Sequence, residues 1–206
     1  MASEDRKLRE KQELRRLILE AARKIVLDDG FAALTMRRLA DAIEYAPGTI
    51  YLYFAGRDEI ARELCRDAFR ELFEYMEPVS AVRDPRERLR VAMQLYVQFG
   101  MEHPEIYRLA FMENPKITDA VMQGQPLEDE SGPGQRVFAM LVTALEELRA
   151  AGRLRSARES FVLAEMIWTA IHGIVSLKLT CPAYPVTSAE VLMDATAESL
   201  LDGIVS

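Results

Sequence analysis

Between Thr35 and Phe54 the chain sets out Thr35, Arg37, Tyr45, Thr49, Tyr51 and Tyr53, with Arg57 just beyond. Hydroxyl and guanidinium groups of this kind donate hydrogen bonds to phosphate oxygens, and an arginine can also grip a guanine edge with two bonds. Such chemistry needs the groups on one exposed face. The segment TMRRLADAIEYAPGTIYLYF predicts two short helices joined by a tight turn at Ala46-Pro47-Gly48. The second helix then suits the major groove of DNA. Pro47 lacks an N–H and is expected to stop the first of these helices; Gly48 is expected to take a conformation that other residues resist.

Elements on either side must hold that face in place. Leu14, Leu17, Ile18, Ala21, Ala22, Ile25 and Val26 recur at three- and four-residue steps, one apolar stripe of a helix. Gly30 suits the position just past its end. Thr35 is placed to cap the next helix, whose buried face is Met36, Leu39, Ala40 and Ile43. Ile50 and Phe54 are expected inside the small domain, Tyr51 either inside it or on DNA, and Arg38 on a solvated face. Asp58 and Glu59 open a long helix, two acids at its positive end.

Gly30-Phe31, Leu34-Thr35-Met36-Arg37, Leu39-Ala40 and Tyr45 through Phe54 resemble the N-terminal domain of the tetracycline-repressor family of bacterial regulators, over roughly the first third of the chain. The resemblance implies an all-α homodimer of about nine helices, usually a repressor, that leaves its operator when a small molecule binds the C-terminal domain. It implies that Thr49 and Tyr53 bond phosphates, that Tyr51 lies on the DNA backbone or a base methyl, and that Arg37 reaches a base edge or a phosphate. Arg57 is a phosphate clamp by the same likeness, and Tyr45, Pro47 and Gly48 lie near the DNA backbone. Ala55 and Arg57 depart from the pattern, which commonly has lysine at both positions, so one phosphate contact is expected to be missing.

The net charge of -7 speaks against nucleic acid only until it is divided. Residues 1–57 hold 11 basic and 9 acidic residues, net +2, and the remainder holds 15 against 24, net -9. The basic excess sits on the expected reading head. Arg6, Lys7, Arg9, Lys11, Arg15 and Arg16 either approach phosphates or form a solvated tail, since acids are mixed among them. The expected organisation is a disordered tail over 1–12, a helix-turn-helix head over 13–58, a connecting helix over 59–77 and a ligand-binding and dimerisation domain over 78–206. A connecting helix of this length can lever the head and change the spacing of two half-sites about 34 Å apart.

Beyond Pro78, helices are expected from Pro85 to about Met101, Glu105 to Glu113, Val137 to Ala151, Ala157 to Thr180 and Ser188 to Ile204, with a Gly/Pro-rich acidic loop over 123–135. Tyr96, His103, Tyr107, Phe111, Phe138, Trp168 and His172 are candidates to line a site for a small apolar or aromatic effector. Equally, aromatics at helical spacing are core. Trp168-Thr169-Ala170-Ile171-His172-Gly173 resembles the Trp-x-x-x-His-Gly motif of one C-terminal subgroup of the family, and Gly173 would let another helix come close. The last two helices are expected to form the dimer interface, through Val191, Leu192, Ala195, Leu200 and Leu201 and through Ile167, Ile171, Ile174, Val175 and Leu177; either stripe serves equally as the monomer's own core.

Other classes fare poorly. No Gly-rich phosphate loop, nucleophile motif or acid–base pair points to an enzyme. Two histidines and two cysteines in no ligand spacing make no metal site, and no cofactor is expected. No run looks long and apolar enough to cross a membrane, and a cytoplasmic protein is expected.

Overall fold

The computed structural model describes residues 2–113, 115–122, 132–181 and 183–206. It contains α1 (Ala2–Asp29), α2 (Met36–Ala42), α3 (Pro47–Ile50), α4 (Arg57–Tyr75), α5 (Pro85–Glu102), α6 (Pro104–Phe111), α7 (Pro115–Met122), α8 (Pro133–Ala150), α9 (Ser160–Thr180) and α10 (Ala189–Ile204). Two 3-10 turns, Phe31–Ala33 and Glu77–Ala81, follow α1 and α4. The fold is all-α: N-terminal helices, a long connecting helix and a C-terminal bundle. The sole pairing of strand type among the described residues is a bridge between Leu154 and Val205.

The chain divides into two compact units, 1–68 with 108–121, and 69–107 with 122–206. Residues 108–121 pack with the N-terminal helices. The Cys65 thiol of α4 donates to the Ala110 carbonyl at 3.6 Å, and Thr118 Oγ1, from within the segment, donates to the same oxygen at 2.8 Å. Ala110 stands in the last turn of α6, where carbonyls lack an in-helix partner. Burial pushes the Cys65 thiol up to about 12, so it stays protonated and inert.

In the N-terminal unit, Ile18, Ala22, Ile25 and Val26 of α1 are buried, as are Leu39, Ala40, Ile50, Phe54, Ile60 and Leu64. α1 continues back to Ala2, through the stretch expected as a tail, although its buried stripe starts only at Ile18. Gly30 does carry a positive φ of 80°, but its ψ of 165° places it in an extended region that glycine almost alone occupies.

The C-terminal unit centres on α5, which packs on α8, α9 and α10. Asp84 caps α5 by accepting from the Glu87 N–H at 3.0 Å, and Arg153 holds the same carboxyl below its usual range. Gly100 lets α9 lie against α5: a Cβ there would stand 2.4 Å from a Val175 methyl. The close approach expected at Gly173 is absent, for a Cβ at that position meets nothing within 4 Å.

Three further expectations change. Of the loop expected over 123–135, residues 123–131 lie outside the described residues, and Pro133 and Gly134 already belong to the first turn of α8. α7 was not foreseen, because Asn114-Pro115 reads as a stop although proline also opens helices. α9 is long and apolar enough by composition to cross a membrane, contrary to the reading of the sequence. Here it buries Leu163, Ile167, Ile171 and Val175 in the bundle. Phe161, Val162, Met166 and Leu177 remain exposed.

Candidate nucleic-acid interface and buried aromatic cluster

The reading head is built by three local devices. Thr35 Oγ1 accepts from the Arg38 N–H at 3.1 Å and starts α2. Glu44 ends the following turn at φ 58°, a left-handed conformation reached without glycine. Pro47 then occupies the first turn of α3, where its missing N–H costs nothing. The turn therefore lies over 43–46, earlier than expected. Pro47 opens a helix instead of stopping one, and Gly48 is helical with open space beside it.

This geometry sorts the side chains. Ile50 and Phe54 are buried, as expected, at 0% and 1% exposure. Tyr45 and Tyr51 stand out at 44% and 55%. Thr35, Arg37, Pro47 and Gly48 are exposed, while Thr49 and Tyr53 are half-buried. The Arg57 guanidinium lies over the Phe31 ring, 4.3 Å from the centroid. Arg38 forms an ion pair with Asp29. Arg15 of the basic run is also engaged, over the Phe54 ring at 4.9 Å and against Glu63 at 3.3 Å. Glu113 was missed by sequence reasoning. Its carboxylate accepts from the Phe31 backbone N–H at 3.3 Å, a contact between residues 82 apart that no local pattern announces.

In the C-terminal unit the structure brings together Tyr96 of α5, Tyr107 of α6, Phe138 of α8, and Trp168 and His172 of α9. Both tyrosines are fully buried. Tyr107 Oη lies 2.6 Å from His172 Nδ1, and Tyr96 Oη lies 3.1 Å from the same nitrogen and 3.3 Å from Tyr107 Oη. Trp168 Nε1–H donates to Tyr96 Oη at 3.2 Å. One bare nitrogen accepts one proton. The chain closes when Trp168 donates to Tyr96, Tyr96 to Tyr107, and Tyr107 to a neutral imidazole whose proton sits on Nε2. Burial supports that state, pushing both phenols up and the imidazole down from 6.5. The Tyr107 ring stacks on His172 at 5.5 Å, and Phe138 meets Trp168 at 6.2 Å.

Two candidates do not join this cluster. His103 lies against Tyr75 and Phe99, at 5.8 and 5.2 Å between centroids. Phe111 belongs to the N-terminal unit and is half-buried there. Of the residues expected between subunits, Ile167, Ile171, Ile174, Val175 and Leu201 are buried within the chain itself. Leu177 and Val191 are exposed, Ala195 is exposed, and Leu192 and Leu200 are half-buried. No group of three metal-ligating side chains occurs among the described residues.

Comparison with known proteins accords with both units. Residues 18–64 match the model of bacterial regulatory proteins of the tetR family. Residues 89–204, more than half of the chain, match the model of the tetracyclin repressor-like C-terminal domain. No curated protein matches the chain. Among solved structures, a protein of unknown function from Rhodococcus sp. RHA1 is similar at TM-score 0.74 and 19% identity, covering 94% of this chain and 96% of that one. The transcriptional regulator FadR from Bacillus subtilis, solved with stearoyl-CoA, is similar at TM-score 0.69 and 18% identity over 92% and 98%. The fatty acid degradation regulator FadR from Bacillus halodurans gives TM-score 0.68 and 16% identity over 91% and 94%. At such identities the likeness is one of fold. With a tetR-type head on one unit and a repressor-like domain on the other, the chain belongs to the tetracycline-repressor family of DNA-binding transcription regulators.

Proposed function

We propose that this regulator is a cytoplasmic homodimeric repressor that leaves double-stranded operator DNA when a small effector binds its C-terminal unit. One observation carries the reading: Leu39, Ile43, Ile50 and Phe54 are buried while Arg37, Tyr45 and Tyr51 are exposed, with open space beside Gly48. Thr35, Arg37, Tyr45, Thr49, Tyr51 and Tyr53 position the head on phosphates, and Pro47 and Gly48 let the DNA backbone approach. Arg57 acts through Phe31. Dimerisation uses the outer faces of α9 and α10, where Met166, Leu177 and Val191 are exposed. The effector is apolar or aromatic and engages Tyr96, Tyr107, Phe138, Trp168 and His172, a C-terminal domain of the Trp-x-x-x-His-Gly kind.

Gel shift on the upstream intergenic DNA across a salt series tests the head. Specific binding that weakens as salt releases counterions is expected. Binding no tighter than to a scrambled duplex would reject the operator assignment.

A second reading is favoured by the closure of the aromatic cluster, since no buried side-chain nitrogen or oxygen lacks a partner among the described residues. In that reading the C-terminal unit only dimerises, and the protein is an orphan regulator or activator. Ligand-induced thermal stabilisation separates the two, because a ligand bound only to the folded state raises its stability.

A further inference from the structure

The junction between α1 and α2 has no cap of its own. Gly30 stands at the N-cap of the Phe31–Ala33 turn and has no side chain to accept from the first backbone N–H. Glu113, 82 residues on, supplies the missing acceptor at 3.3 Å. It stands just past the end of α6, where its own N–H donates to the Arg108 carbonyl at 3.0 Å. The Cys65 thiol of α4 bonds the Ala110 carbonyl of the same helix. All of these residues belong to the N-terminal unit.

Phe31 in turn seats Arg57, the first residue of α4, whose guanidinium lies over the buried ring at 4.3 Å. A guanidinium stacked by its face keeps the donors along its edge open. Nearby acids leave them open here. Glu59 accepts from the Ala55 N–H at 2.6 Å, and Arg57 makes no ion pair among the described residues. Arg38, by contrast, spends its guanidinium on Asp29. An arginine whose plane is fixed and whose edge is open suits the paired oxygens of a phosphate.

We propose that Glu113 is a positioning residue for operator binding: it fixes Phe31, and Phe31 holds Arg57 at the angle from which its open edge meets an operator phosphate. The inference rests on the operator reading above. It carries a distinctive sign. A carboxylate near DNA repels phosphate, so removing one that has no other role should tighten binding. Removing Glu113 should weaken it, because the seat of Arg57 is lost with it.

Gel shift of the full chain on the upstream intergenic duplex, across a salt series, tests this. Arg57→Ala is expected to weaken binding by about tenfold. It should also lower the slope of log affinity against log salt by about one for each head of the dimer. Glu113 is exposed, so its replacement leaves the core intact. Glu113→Ala should weaken binding by about threefold or more and move the slope in the same direction. The double variant should bind no more weakly than Arg57→Ala alone, since both substitutions remove one contact. Glu113→Gln keeps an oxygen acceptor and sheds the charge, so it should bind as the parent does or more tightly. Unchanged or tighter binding by Glu113→Ala overturns the proposal and makes Glu113 a bystander charge. So does weaker binding at an unchanged slope, an additive loss in the double variant, or a Glu113→Gln as weak as Glu113→Ala. Each of those results leaves the operator reading standing. A parent that binds no more tightly than to a scrambled duplex overturns that reading, and this inference with it.

Discussion

The head and the aromatic cluster treat the same residue type in opposite ways. Tyr45 and Tyr51 of the head hold their phenols in the open, at 44% and 55% exposure. Tyr96 and Tyr107 of the C-terminal unit are buried and spend their hydroxyls on one another and on His172. An exposed phenol contributes little to folding and is available to a partner. A buried phenol must be bonded, because a lost bond leaves a desolvated polar group. Truncating the first kind should therefore cost binding, and truncating the second should cost stability.

The largest effect is expected within the buried region. Gly100→Ala sets a Cβ 2.4 Å from Val175, and overpacking of this kind costs about 1–3 kcal/mol. Thermal unfolding should show it, and an unchanged melting temperature would mean that α9 shifts freely against α5. Tyr107→Phe leaves the His172 nitrogen without its nearest donor, at a cost of about 1–2 kcal/mol. If this substitution weakens operator binding at full stability instead, the contrast between the two regions fails.

The head supplies the opposite case. Arg37→Ala and Tyr53→Phe should weaken the operator complex by about 1 kcal/mol or more, with melting unchanged. Gel shift and calorimetry on the same preparations check both halves of that statement. For the proposed dimer, Leu192→Glu should yield monomers in equilibrium sedimentation, since it sets a charge on the outward part of α10; a surviving dimer removes Leu192 from the interface.

Acidity gives the smallest effect. Burial lowers the His172 pKa below its ordinary value of 6.5. The unfolded chain then takes up the proton first as pH falls. The stability that neutral His172 contributes is present above pH 6.5 and is lost as pH drops from there through the folded pKa. Melting at pH 7.5 and 5.5 should therefore differ more in the parent than in His172→Phe. An equal difference in both would show that His172 titrates as it does in the unfolded chain.

Periodicity was enough to reveal the all-α class and the α1 stripe, and residue type the Thr35 cap, which accepts from the backbone N–H three residues on; Asp84 and Ser188 cap their helices in the same way. Caps and stripes are local, so the sequence displays them. The turn of the head was misplaced because Glu44 holds the left-handed position while a conspicuous glycine lies nearby. α7 was overlooked for a similar reason, its opening proline being read as a stop. For the candidate site, Tyr96, Tyr107, Phe138, Trp168 and His172 were named together, but nothing local separated them from His103 or Phe111.

What the amino-acid sequence determined alone is what depends on neighbours within a turn or two: helix type, most helix starts, and a head with Leu39, Ile43, Ile50 and Phe54 inside. Tertiary structure decided the rest. Phe31 meets Glu113 across 82 residues, Tyr107 meets His172 across 65, and Gly100 serves Val175 on another helix. Helical repeats fix which face a residue occupies. Only the packing of whole helices fixes what that face meets, because side-chain volume and hydrogen-bond demand must be satisfied across all of them at once.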